Sequence, residues 1–439
     1  MKENLRHAVG SLLVVGLGGM ELTSLERAWL KLVRPAGIIL FRRNIENARQ
    51  TRALLGDATG LCAAHGFRCV DVEGGTVDRL RDALAPMPSA QAVALAALRR
   101  GWEMRSPTLS QKTRKDGAPG SGWEVGSPTL SQRTRKDGAP GSGWEVGSPT
   151  LSQKTRKDGA PKLEQAPRHE NGLAYQQGEL IARGVKAFGF NTTLAPVLDL
   201  ALPASAAVMG TRAAAATAVG VVDYARPFLA GLAKHKVAGC GKHFPGLGGG
   251  VLDSHLETPS IRRSTREMTQ NDLVPYCELN NEQPMVMVSH AAYPDTPGKD
   301  RPASVSPYWI ATVLRKRIGY RGIVFSDDLE MGGILKFMSI EEAAVASIYA
   351  GMDLMEICHS PELILRAYEA LLAEGERSSV FGNLLLERAK QTARQRAKLF
   401  AGGVSPALSA RQFEALRTEI LRFGETIEKA QPVPEAQPA

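Results

Sequence analysis

Eight short apolar runs, each closed by polar residues and parted from the next by a helical pattern, constrain this chain more than any other feature. The runs span 12–17, 37–41, 67–72, 193–198, 237–243, 284–290, 322–326 and 352–357. Helical patterns fill the intervals, for example at 24–33, 48–58, 175–188, 214–235, 307–318 and 340–349. Buried strands that alternate with helices pair in parallel. An open doubly wound sheet concentrates its polar site at one switch point. Here polar groups close nearly every strand, which favours a closed (β/α)8 barrel of the TIM type. The fold class expected is therefore α/β, with one barrel domain.

One segment breaks the alternation. A unit rich in Ser, Pro, Thr, Arg and Lys begins at Ser106, again at Ser127 and again at Ser148, a period of 21 residues. The first two units each have two prolines, several glycines and only a Leu, a Val and a Trp as large apolar groups. Such units bury too little surface to offset chain entropy, and they lack the apolar face that solenoid repeats stack. Residues 101–165 are therefore expected to be a disordered insertion between the third and fourth strands. A protein- or wall-binding loop is the alternative. The barrel then comprises 1–100 and 166–401, and 402–439 adds one helix, at 410–428, and a Pro-rich tail without chemistry.

With 43% apolar and 23% charged residues the chain is that of a soluble globular protein. Part of its net charge of +9 comes from the repeats. No aromatic–basic interleaving supports nucleic-acid binding. The five cysteines, Cys62, Cys69, Cys240, Cys277 and Cys358, are odd in number and lack metal-ligand spacing. Reduced thiols in the cytoplasm are expected. Residues 9–19 resemble the core of an export signal, but only Lys2 and Arg6 flank them, and they read instead as the first strand. No apolar run reaches membrane-spanning length, so no membrane partner is expected.

The chemistry sits at the strand ends. The third run closes on Asp71-Val72-Glu73-Gly74-Gly75, followed by Arg79. This arrangement suits close approach of a ligand, or else a helix cap with a tight turn. The fourth closes on Asp199, able to hold a hydroxyl or to cap the following loop, where Arg212 lies. The fifth ends in Lys242-His243, and a lysine at a buried strand end needs an anion or hydroxyls. Phe244-Pro245-Gly246 then turns the chain, and Gly248-Gly249-Gly250 leads to Asp253 and His255. A carboxylate two residues from an imidazole can orient it as an acid/base dyad. His243, Asp253 and His255 could instead ligate a metal, which Lys242 disfavours. The sixth run closes on Ser289-His290 and the seventh on Ser326-Asp327-Asp328. Adjacent aspartates on a strand point to opposite sides, so only one faces a substrate, and Asp328 can cap the next helix. Carboxylates and histidines at the ends of separate strands point to an enzyme acting on a sugar.

These motifs resemble the single-domain bacterial β-N-acetylglucosaminidases of glycoside hydrolase family 3. The resemblance is carried by 37–44, 71–79, 191–200, 241–255, 290–293 with 301–309, and 322–332. It implies the (β/α)8 barrel again. It implies Asp327 as nucleophile, His255 as general acid/base with Asp253 as partner, and Asp71, Arg79, Arg212, Lys242, His243 and His290 as residues that grip N-acetylglucosamine. It also implies substrates from cell-wall recycling, N-acetylglucosamine β-1,4-linked to 1,6-anhydro-N-acetylmuramic acid, with no partner protein. The protein supplies nucleophile and proton, so no cofactor and no metal are expected. A neutral imidazole repels anionic acceptors less than a carboxylate would, which makes transfer to phosphate a second outcome. The chain departs from the family in having Leu247 where a second histidine is common, Thr76 where arginine is common, and Thr211 and Ala213-Ala214 around Arg212.

Three other readings compete. A family 3 β-glucosidase usually takes its acid/base from a second domain, and nothing after the eighth strand is long enough to supply one. A non-catalytic muropeptide-binding protein would be expected to lose Asp327 or His255, and both are present. A scaffold built on the repeats would lose its partner when 101–165 is deleted.

Overall fold

A computed structural model of the chain describes residues 2–99, 172–250 and 258–430. The repeat segment, and Asp253 and His255, lie outside the described residues. Eight strands form a closed parallel barrel: β1 (Leu13–Gly16), β2 (Gly37–Leu40), β3 (Phe67–Val70), β4 (Thr192–Thr193), β5 (Ala238–Phe244), β6 (Met285–Val288), β7 (Ile323–Asp328) and β8 (Leu354–Ile357). Each pairs with its neighbours in sequence, and β8 closes on β1 with Leu13 opposite Met355. The eight predicted runs and the predicted barrel are all present.

Strand alternation decides the layers. Ala238 and Cys240, Met285 and Met287, Ile323 and Phe325, with Cys69 and Leu354, pack together inside the barrel. The intervening Val286, Val288, Val324 and Ile357 pack outward beneath the helices. The main helices are α1 (Lys2–Gly10), α2 (Ser24–Val33), α3 (Ala48–Thr59), α4 (Ala90–Arg99), α5 (Leu173–Ala187), α6 (Ala218–Lys234), α7 (Ile340–Ala350), α8 (Pro361–Arg377), α9 (Ser379–Leu399) and α10 (Ala410–Lys429), with a π-helix at Tyr308–Arg317. Among the described residues no helix is long and apolar enough to cross a membrane.

Several boundaries differ from expectation. The segment read as a first strand from residue 9 begins as the end of α1, which buries Leu5 and Val9. A short apolar run alone does not distinguish strand from helix. The fourth strand has only two residues, because Pro196 has no N–H to extend a ladder; one bridge, Val197 to Lys242, continues the pairing. Helix α6 starts at Ala218, where the Thr217 side chain accepts from the Gly220 N–H, rather than at 214. The C-terminal helix is more than an appendage. Its Leu416, Ile420, Phe423 and Ile427 are buried in the main core, and Arg183 on α5 bonds Glu419.

Candidate active site

The same alternation selects which polar residues enter the barrel mouth. Asp327 follows Ile323 and Phe325 in the inward register, and Asp71 follows Phe67 and Cys69. Asp328 has the opposite register. Its Oδ1 accepts from the Glu330 and Cys358 N–H groups at 3.0 and 3.3 Å. It therefore secures the loops after β7 and β8 and does not cap the next helix, which begins after Met331 without a side-chain cap.

The loop after β3 is a hairpin, not a helix cap. Val72–Gly74 pairs antiparallel with Val77–Asp78, turning through Gly74 and Gly75 at φ of +94° and +62°. A Cβ at Gly74 would lie 2.1 Å from the Pro88 carbonyl oxygen. The hairpin lets the Arg79 N–H bond the Asp71 carbonyl at 3.1 Å and brings the Arg79 guanidinium 5.9 Å from the Phe41 ring.

Glu73, buried in that hairpin, is the centre of a charge network. Arg212 grips it with two bonds of 2.8 Å. Lys242 Nζ lies 2.7 Å from Glu73 and 2.9 Å from Asp71. Burial alone would push the Glu73 carboxyl up, but Arg212 and Lys242 outweigh it and hold it far below the usual range. The Lys242 ammonium is likewise held charged by Asp71 and Glu73 against its burial. Three of the expected residues, Asp71, Arg212 and Lys242, thus meet in one network. The motifs do not single out Glu73. The signal available is a second acid two residues after Asp71.

His243 is oriented by Asp199. Its Nδ1 lies 2.6 Å from Asp199 Oδ2, and the other Asp199 oxygen accepts from the Leu247 N–H at 2.7 Å. Asp199 therefore holds both the ring and the start of the loop toward 251–257, leaving the His243 Nε2 edge for a ligand.

His290 requires a correction. It is fully buried, with Nδ1 2.7 Å from the Ser304 hydroxyl and Nε2 2.9 Å from the Asp328 carbonyl oxygen. Burial lowers its pKa, so it is neutral, with Nε2–H donating to the carbonyl and Nδ1 accepting. Neither nitrogen is free to grip a sugar. The ring instead supports the strand that carries Asp327.

Asp327 is half-buried and accepts the Asp328 N–H at 3.0 Å. Burial would push its carboxyl up, but His243, Lys242 and the Asp328 N–H outweigh it and hold it below the usual range. An ionised carboxylate in the barrel mouth is a competent nucleophile. Beneath it lies Glu356, which sequence reading passes over inside an apolar run. Its Oε1 is buried without a partner among the described residues. Burial, then Asp71, Asp328 and Asp327, push its carboxyl well above the usual range.

Among the described residues, one group of potential metal ligands adjoins the site: Asp328, Cys358 and His359 offer atoms within 4.8 Å of one another. His359 Nδ1 already lies 2.9 Å from Glu330 Oε2, and burial and Glu356 push the Cys358 thiol up, which opposes metal binding as a thiolate.

The sequence matches the Glycosyl hydrolase family 3 N terminal domain over residues 152–383. A beta-hexosaminidase of Alkalilimnicola ehrlichii is 31% identical over 353 residues, covering 80% of this chain and 82% of the relative. One from Bordetella avium is 31% identical over 352 residues, with coverages of 80% and 81%. The fold is similar to NagZ of Neisseria gonorrhoeae in complex with N-trifluoroacetyl-D-glucosamine, at TM-score 0.66 and 24% identity over 96% of this chain and 98% of that one. It is also similar to a family 3 beta-N-acetylglucosaminidase of Paenibacillus, at TM-score 0.73 and 24% identity over 96% of this chain and 68% of that one.

Proposed function

The chain belongs to glycosyl hydrolase family 3, and from that premise we propose that it is a retaining β-N-acetylglucosaminidase acting on the non-reducing terminal N-acetylglucosamine of muropeptide fragments. The observation that carries this reading is Asp327: an inward-facing carboxylate held ionised beside a buried Asp71–Lys242–Glu73–Arg212 network.

The reaction is a double displacement. The Asp327 carboxylate attacks the anomeric carbon, and the bond to the leaving oxygen breaks with its electron pair on that oxygen. His255, oriented by Asp253, supplies the proton. Water then attacks the glycosyl-aspartate, His255 takes its proton, and Asp327 leaves. Retaining enzymes usually employ two carboxyl groups. A histidine on the loop that begins at Gly246 replaces the second here. Asp71, Arg212, Lys242 and His243 would meet the sugar hydroxyls and the acetamido group, Arg79 closes the rim, and His290 acts from below. Free cysteines suit a reducing compartment, so we assign the activity to the cytoplasm.

The test compares purified protein on para-nitrophenyl N-acetylglucosaminide and on the glucoside, and follows GlcNAc-1,6-anhydroMurNAc by mass spectrometry. Preference for the N-acetyl substrates and release of free N-acetylglucosamine are expected. Equal rates on the glucoside would point to a family 3 enzyme of other specificity. Binding without turnover would point to a muropeptide-binding protein.

A further inference from the structure

One cavity lies away from the catalytic mouth. It opens at the other end of the barrel, where the chain enters β1, β2 and β3, with a volume of about 580 Å³. Small-molecule sites run from about 300 to 1,000 Å³. Asn4, His7, Arg34, His65, Lys390 and Arg396 supply its polar lining with Ser11, and the rest of the wall is alanine and leucine. Among the described residues no carboxylate lines it.

Arg396, on α9, is the built element. It is only 2% exposed. One guanidinium nitrogen donates to the Ala36 carbonyl at 3.1 Å, and its Nε is buried with no partner among the described residues. Burial pushes this guanidinium down to about 10, so it remains charged near neutral pH. Its charged neighbour would be Cys62, but burial pushes that thiol up to about 12, and it stays neutral. A buried cation with neither counter-ion nor full hydrogen bonding is costly.

Helix dipoles explain part of this arrangement. His7 and Arg396 stand in the last turns of α1 and α9, and Arg34 caps α2. A cation at an exposed helix C-terminus gains only a modest stabilisation from the dipole. That is less than the cost of taking a guanidinium out of water. It does not account for Lys390 in the body of α9, or for His65 in the turn before β3. Among the described residues none of these five groups forms an ion pair with a carboxylate. Water reaches Arg34 and Lys390 at the rim, but the charge of buried Arg396 has no counter-ion among the described residues, and an anion bound in the cavity would supply one.

We propose that this cavity binds a small phosphorylated molecule, with the phosphate held between Arg396, Arg34 and Lys390 and the remainder lying on the alanine wall. Arginine's planar fork matches phosphate oxygens two at a time, and a phosphate carries close to two charges at neutral pH. The site is separate from Asp327, which stands at the opposite end of β7.

The experiment titrates the full chain with inorganic phosphate and with pyrophosphate by calorimetry, at constant ionic strength to remove general screening. Thermal melting is measured in parallel. Saturable binding and a raised melting temperature are expected, because a ligand bound only to the native state stabilises it. The double variant Arg34→Gln with Lys390→Gln alters two exposed side chains. It should weaken pyrophosphate by about tenfold or more and leave hydrolysis of an aryl glycoside unchanged. Arg396→Lys keeps the charge, removes the fork, and should weaken binding further. Absence of saturable binding at millimolar pyrophosphate would overturn the proposal. Undiminished binding in the double variant would also overturn it, because the anion would then sit elsewhere, the catalytic mouth included.

Discussion

Arg212 and Glu73, 139 residues apart, meet through two parallel bonds of 2.8 Å, with Arg212 only 17% and Glu73 only 3% exposed. Lys242 approaches the same carboxylate at 2.7 Å. A single buried anion thus holds two cations at the barrel mouth. Each of those cations lies on a different segment of the chain, so the pair ties the loops after β3 and β4 to the end of β5.

Removing that anion should expose the cost of the arrangement. Glu73→Gln leaves Arg212 and Lys242 buried with Asp71 as the remaining carboxylate. A loss of about 3–5 kcal/mol in unfolding free energy is expected, as for breaking a buried ion pair from one side. Hydrolysis should fall by about 10- to 100-fold, since Lys242 and Asp71 are no longer held in place. Urea titration and kcat/KM on one preparation check both. A stability like that of the unmodified protein would show that the network is solvated.

The neighbouring aspartates should separate cleanly. Asp327→Asn should reduce turnover by about 10³-fold or more with the fold retained, since no other described carboxylate takes its place. Asp328→Asn keeps an oxygen to accept the Glu330 and Cys358 N–H groups and loses only its contact with the exposed His359. It should cost less than about 1 kcal/mol and preserve most activity. A fluoro-sugar trap, then peptide mass spectrometry, should find the label on Asp327. A label on Asp328 would reverse the assignment.

Glu356 and Asp327 should act on stability with opposite signs as pH changes. The Glu356 carboxyl titrates higher in the folded than in the unfolded chain. Above the ordinary glutamate range the unfolded state has released this proton and the native state has not. Stability contributed by Glu356 therefore falls as pH rises, until its folded pKa is passed. Asp327, held low, contributes stability above the ordinary aspartate range and loses it as pH falls through its folded pKa. Glu356→Gln should flatten the decline on the alkaline side and leave the acid limb intact. Denaturant midpoints from pH 4 to 9 test this. An unchanged slope would mean that Glu356 is ionised in the native protein.

His255 should be recognised by leaving group. His255→Ala should slow substrates with poor leaving groups most, because these need the proton in the first step. Activated aryl glycosides should keep a fast first step and accumulate the glycosyl-enzyme, visible as a burst. Asp253→Asn should give a milder loss and a displaced pH profile. Equal slowing of good and poor leaving groups at glycosylation would leave His255 with a binding role only.

Strand alternation made a good part of this protein legible from residues alone. The period of two puts Asp71 and Asp327 in the barrel mouth and turns Asp328 away, and it needs only neighbours in the chain. Short apolar runs closed by polar residues, equally local, located all eight strands. Capping residues such as Ser24's neighbour Thr23, which bonds Glu26 on both sides, set helix starts equally locally. Tertiary structure decided the rest, because the decisive partners are far apart in sequence. Nothing near Glu73 announces Arg212 or Lys242; barrel closure brings them together and only then makes Glu73 the centre of charge. His290 reads as a ligand in its motif, yet Ser304 and the Asp328 carbonyl occupy both its nitrogens. Arg396 is an ordinary cation on a helical pattern until α1, α9 and the turns before β2 and β3 enclose it. Local periodicity fixes the side to which a residue points. What it meets there, and whether its charge is balanced, depends on the packing of the whole barrel.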